Sequence, residues 1–93
     1  MQVDTHALIG QFAADFVASF RELEKVKEIA APSTRQSIAI ARLLSAKYIK
    51  NRELLEADFV DAAVVTSYPR VQKIAEEIAK DTIRKLAKQN TSN

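Results

Sequence analysis

The sequence predicts an all-α, four-helix bundle, on three grounds. Strong helix formers (Ala, Leu, Ile, Lys, Glu and Arg) dominate its 93 residues. Only two Pro and one Gly interrupt them, and each Pro falls where one helix would stop and the next begin. Apolar residues recur at steps of three and four, the spacing of a buried helix face. A chain this short holds one core, so residues 1–93 are expected to form a single domain. With 47% hydrophobic and 28% charged residues, there is enough apolar surface to fold.

The first helix is expected over residues 5–30. Asp4 or Thr5 is placed as its N-cap, and Val3 with Leu8 stands at the spacing of a hydrophobic staple. Its inward stripe reads Ile9, Phe12, Phe16, Phe20, Leu23, Val26 and Ile29, with three Phe on one face. Pro32 ends it near Ala30, because proline disfavours helical geometry in the residue before it.

The second helix is expected over 34–51. Ser33-Thr34-Arg35-Gln36 reads as a capping box, in which Ser33 caps the Gln36 amide and the Gln36 side chain returns to the Ser33 amide. At 100° per residue, Ile38, Ile40, Ala41, Leu44 and Tyr48 share one broad arc and Arg35, Arg42, Lys47 and Lys50 the other. That arc suggests a helix at the centre of the bundle.

Residues 51–56 should connect, with Leu54 and Leu55 both tucked inward. A third helix follows over 57–66, with Asp58 near its positive end and Phe59, Val60, Ala63 and Val64 facing the core. Ser67-Tyr68-Pro69 restarts the chain, proline being suited to a first helical turn. The fourth helix is expected over 69–88, burying Val71, Ile74, Ala75, Ile78, Thr82 and Leu86, with 88–93 as a frayed polar tail.

Composition excludes several chemistries. Gly10 alone cannot build a P-loop or a dinucleotide fingerprint, both of which need several glycines to bring backbone amides against phosphate. Zero Cys removes thiolate ligands, thiol nucleophiles and disulfides, and a single histidine, His6, removes any two-histidine metal cluster. No metal and no cofactor are expected. Ser33, Ser37 and Ser45 have no histidine nearby for nucleophilic catalysis. His6 reads as a first-turn surface residue, and Glu53, Glu56, Asp58 and Asp61 as surface acids around a helix start. The longest apolar runs, such as Ile38 to Ala41 and Ala62 to Val65, span four residues, far short of a membrane helix. The start, Met1-Gln2-Val3-Asp4, lacks the basic and apolar regions of a signal peptide, so a cytoplasmic location is expected.

Charge is segregated along the chain. Residues 32–52 carry five Lys/Arg and no Asp/Glu, whereas residues 53–68 carry four Asp/Glu and no Lys/Arg. The cationic block reads either as a solvated helix face beside acidic neighbours or, with Arg70, Lys73, Lys80, Arg84, Lys85 and Lys88, as a surface for nucleic-acid phosphates. Only Tyr48 and Tyr68 stand among these cations as rings for base stacking.

The stretch from Pro32 to Tyr48 (PSTRQSIAIARLLSAKY), followed by Leu55 to Ala63 (LEADFVDAA), resembles the C-terminal helical lid of AAA+ ATPases. The nearest likeness is to MoxR-type ATPases, with the lids of minichromosome-maintenance helicases and magnesium chelatases as cousins. In that family a Ser/Thr and then an Arg open an Ala-, Leu- and Ile-rich helix; a loop, a short helix and a closing helix follow. Two positions depart from the pattern, Glu56 standing where the family usually has Thr and Ala57 where it has Pro. The resemblance implies a non-catalytic, lid-like bundle that is part of, or partner to, an ATPase assembly. Such a domain comes from a larger ATPase, from a von Willebrand-type companion protein, or stands alone. The family's phosphate-sensing arginine matches Arg35, which would reach the γ-phosphate of ATP held by an adjacent nucleotide-binding core. Its partners would be that core or another protein, in an assembly compatible with an oligomer. A free-standing helical protein-interaction module remains the alternative.

Overall fold

A computed structural model describes residues 5–27 and 34–91, with side chains over 5–22 and 35–89. Within them lie α1 (Thr5–Lys27), α2 (Thr34–Asn51), α3 (Glu56–Val65) and α4 (Gln72–Thr91), the last preceded by one 3-10 turn at Pro69–Val71. There is no strand among the described residues, as the composition requires. The expected capping groups Val3, Asp4 and Ser33, the stripe positions Leu23, Val26 and Ile29, and the Pro32 break lie outside the described residues or side chains.

The helices form an up-down-up-down ring in which each packs on its two neighbours. His6, near the start of α1, meets Tyr48, near the end of α2, edge to face at 5.5 Å. Antiparallel order continues through α2 and α3, where Gln36 meets Ser67 and Lys47 meets Asp58. The expectation that α2 is central is therefore corrected: no helix is central, and α2 sits least closely against α3. The reason is visible in α4, whose inward residues Ala75 and Ala79 are small and fully buried, allowing close approach. On α2 the branched Ile38 and Leu43 stand off the ring instead, 47% and 45% exposed.

In the core, Ile9, Phe12, Phe16 and Phe20 of α1 are buried as their spacing predicts, together with Ile40, Leu44, Phe59, Val60, Ala63, Val71, Ile83 and Leu86. Phe12 crosses the middle of the ring to meet Phe59 at 5.1 Å, edge to face, a geometry that aromatic pairs favour. Thr82 is buried too, and its hydroxyl donates to the Ile78 carbonyl at 2.7 Å, so its burial leaves no unpaired group. Every buried side-chain polar atom among the described residues has a partner.

Several sequence expectations need correction. Ile38 faces outward, because an apolar arc wider than the two neighbouring helices can cover leaves its edge in solvent. Leu54 packs against the core, but Leu55 is exposed, since it occupies the N-cap position of α3 in extended geometry. The third helix begins at Glu56 and ends at Val65, one residue earlier at each end than expected. The fourth opens as a 3-10 turn at Pro69 and continues to Thr91, past the expected frayed end at Lys88. Its outer face holds the extension, with Lys80–Glu76 and Lys85–Asp81 pairs one turn apart.

α2 ends without a glycine. Arg52 takes the left-handed conformation, φ 60°, and its amide donates to the Tyr48 carbonyl at 2.7 Å. Helices commonly close this way, but the position suits Gly, because a Cβ is strained there. Arg52→Gly is therefore expected to raise the unfolding free energy by about 0.5–1 kcal/mol, read as a higher urea midpoint at unchanged slope.

Candidate functional site

Arg35 stands in the first turn of α2, where backbone amides lack intrahelical partners and the helix dipole is positive. It is exposed and forms no ion pair among the described residues. One helical face carries it together with Ile38, Ala39 and Arg42, and these line a shallow depression with Leu43. Two guanidinium groups two turns apart thus flank exposed aliphatic side chains.

Gln36 points the other way. Its Nε2 donates to Ser67 Oγ at 2.9 Å and Thr66 Oγ1 at 3.2 Å, at the C-terminal end of α3. Those hydroxyls have already donated to carbonyls, Thr66 to Ala62 and Ala63 and Ser67 to Ala63 at 2.7 Å, so each has lone pairs free to accept. Gln72 Nε2 reaches the Val64 carbonyl at 3.4 Å. The carbonyls that end α3 are thereby satisfied, and α2 is fastened to them through one amide. The Ser33 half of the expected capping box lies outside the described residues.

A second fastening joins the other ends of these helices. Asp58 Oδ2 accepts from the Leu55 amide at 2.7 Å, tying down the start of α3, while Oδ1 pairs with Lys47 Nζ of α2 at 2.8 Å. The Leu55 amide first, and the Lys47 ammonium second, hold the Asp58 carboxyl below its ordinary value. Reciprocally, the hydrogen bond to Asp58 and its charge hold the Lys47 ammonium above its usual value. A depressed carboxyl stabilises the fold above its unfolded value of about 3.9 and loses that contribution as pH falls through the lower folded value. Asp58→Ala is accordingly expected to cost about 1 kcal/mol at neutral pH, the usual worth of a lost helix-start hydrogen bond, and less below about pH 4. Urea midpoints of the two proteins measured from pH 7 to pH 2.5 check the convergence.

Between the two fastenings lies an apolar groove of about 290 Å³, lined by Leu43, Leu44, Lys47, Asp58, Asp61, Ala62 and Val65. Leu44 and Ala62 are buried at its floor, whereas Leu43 on α2 and Val65 on α3 are open walls, Val65 being 70% exposed. Leu43 also lines the Arg35 depression, so the two features are continuous.

Of the cations grouped in the sequence as a phosphate-binding surface, Lys47, Lys80, Arg84 and Lys85 are each paired with a carboxylate; Arg84 Nε holds Glu56 at 2.9 Å. His6 sits at the surface against Tyr48. Among the described residues no group of three or more His, Asp or Glu could hold a metal ion, and no helix is long and apolar enough to cross a membrane. Sequence reasoning missed the Lys47–Asp58 pair and the Gln36–Ser67 link, which join residues far apart in the chain. Thr66-Ser67, directly after an apolar helix, was the one local signal of a built helix end. No protein-family model, curated protein or solved structure matches the chain.

Proposed function

We propose that this chain is a non-catalytic, lid-like helical domain that works by docking, as part of or partner to a MoxR-type AAA+ ATPase. The observation that carries the reading is Arg35: an exposed guanidinium at the positive end of a helix, without a carboxylate partner among the described residues, beside aliphatic side chains that are also uncovered. An unpaired cation at that place is electrostatically unfavourable unless an anion is supplied from outside. A nucleotide's terminal phosphate held by an adjacent core would supply it, and a guanidinium presents a donor fork suited to phosphate oxygens. The lid then moves as a unit when the nucleotide changes, because Arg35 favours one of two placements only while the phosphate is present.

With one Gly the chain cannot cradle a nucleotide by itself, so the isolated domain is expected to show no ATP binding by calorimetry. The deciding experiment compares Arg35→Ala with Arg42→Ala in the assembled ATPase, where turnover should depend on the first and not the second. A free-standing protein-interaction module is the second reading, favoured by the apolar groove between α2 and α3. Nucleic acid fits less well, because four of the basic side chains that would meet phosphates are already neutralised by neighbours. A cytoplasmic location goes with the ATPase reading.

A further inference from the structure

From the shape and charge of the α2–α3 groove, we propose that it is a docking site for an acidic amphipathic helix of a partner protein. This does not rest on the lid reading, since the groove holds no nucleotide-facing group and Arg35 is not required for it.

Length and shape come first. The Gln36–Ser67 and Lys47–Asp58 fastenings are eleven residues apart on α2, which at about 1.5 Å per residue gives roughly 16 Å. That is the length of three helical turns. Between them the helices are held slightly apart, with a floor of Leu44 and Ala62 and open walls of Leu43 and Val65. At about 290 Å³ the groove is at the small end for a cofactor. It suits one or two Leu-sized side chains spaced i, i+3 or i, i+4 on an incoming helix.

Charge then selects the partner. On the α2 side, Arg42 is exposed and makes no ion pair among the described residues, and the adjoining Ile38 and Leu43 extend the apolar strip toward it. The Lys47–Asp58 pair at the end of the groove is internally neutral. Asp61, on the α3 rim, is exposed and makes no ion pair among the described residues. An incoming helix therefore seats with its carboxylates toward Arg42 and an uncharged flank toward Asp61. A continuous anionic surface, such as a nucleic-acid backbone or a phospholipid layer, would bring charge against Asp61 as well and is disfavoured.

The test uses the full 93-residue chain, without nucleotide, and a fluorescein-labelled 14-residue peptide with Leu at helical spacing, Glu along one flank and Gln along the other. Binding by anisotropy is expected in the tens of micromolar, an affinity of about −6 kcal/mol. Amide shifts in a ¹⁵N spectrum should centre on Leu43, Leu44, Ala62 and Val65. Replacing the Glu by Lys in the peptide should weaken binding at least about tenfold. Leu43→Glu and Val65→Glu should do the same, and Arg42→Glu should weaken it severalfold. Both walls are exposed, so these variants should fold, which helical circular dichroism verifies. Ile49→Glu, equally exposed but away from the groove, should bind as the parent does. Asp61→Lys should bind more tightly, a gain that damage to the fold does not produce. The proposal is overturned by no binding at millimolar peptide, by equal binding of the Lys peptide, or by Ile49→Glu weakening binding as much as Leu43→Glu. Tighter binding of duplex DNA or phosphatidylserine vesicles than of the Glu peptide would also overturn it. Loss of ATPase regulation alone would bear on Arg35 and leave this result standing.

Discussion

Phe16→Ala is expected to lower the unfolding free energy by about 3–5 kcal/mol. Phe16 is completely buried, midway along α1, with Phe12 6.1 Å away on one side and Phe20 5.8 Å away on the other. Truncation removes the ring's burial and breaks the aromatic row at its centre. The cavity cannot collapse easily, because Phe12 is also held across the ring by Phe59. A domain of this size has about 5–14 kcal/mol in total, so a third or more of its stability is at stake. Thermal unfolding followed by helical circular dichroism should show a midpoint lower by roughly 15–30 °C. Phe16→Leu, which keeps much of the volume, should cost about 1–1.5 kcal/mol. A loss below about 1 kcal/mol for the alanine variant would contradict the packing described.

The second large effect is expected in the assembled ATPase. If Arg35 meets developing phosphate charge, Arg35→Ala should reduce turnover about 10²–10³-fold, equivalent to roughly 3–4 kcal/mol of transition-state stabilisation. Folding should be untouched, because the side chain is exposed and holds nothing in place among the described residues. Arg35→Lys should recover only part of the rate, since an ammonium keeps the charge but loses the planar fork. Arg42→Ala, seven residues on along the same face, should leave turnover near the parent value. Equal losses from the two alanine variants would instead mark a general cationic surface and sink the phosphate-sensing proposal.

How far each feature was legible in the sequence depended on whether its cause was local. The α1 stripe was plain because three phenylalanines at four-residue spacing can share only one face, and the bulkiest apolar side chains go inside. α2 was harder. Ile38, Leu43 and Ile49 are as apolar as Ile40 and Leu44, and only the positions of α1 and α3 decide which of them is covered. Gln36 looked like a local cap because its spacing from Ser33 fits one, yet its amide reaches Ser67, thirty-one residues away. The Asp58 helix start was visible, whereas its pairing with Lys47 was not, since nothing in either segment states that the two helices lie antiparallel. Arg35 was singled out by a resemblance, and its exposure without a carboxylate partner is what the fold adds.

The placement of the rings also determines how the molecule can be watched. There is no tryptophan, and all four phenylalanines are buried, while Tyr68 is at the surface and Tyr48 lies at the junction of α1 and α2 against His6. Intrinsic fluorescence is therefore nearly blind to the core and reports chiefly on whether α2 is seated. The packing of the interior has a separate optical signature, the phenylalanine fine structure in near-ultraviolet circular dichroism, which vanishes when side chains lose their fixed surroundings. Following both signals in one titration distinguishes release of α2 from loss of the whole interior, without adding a label to a surface whose apolar groove would attract a dye.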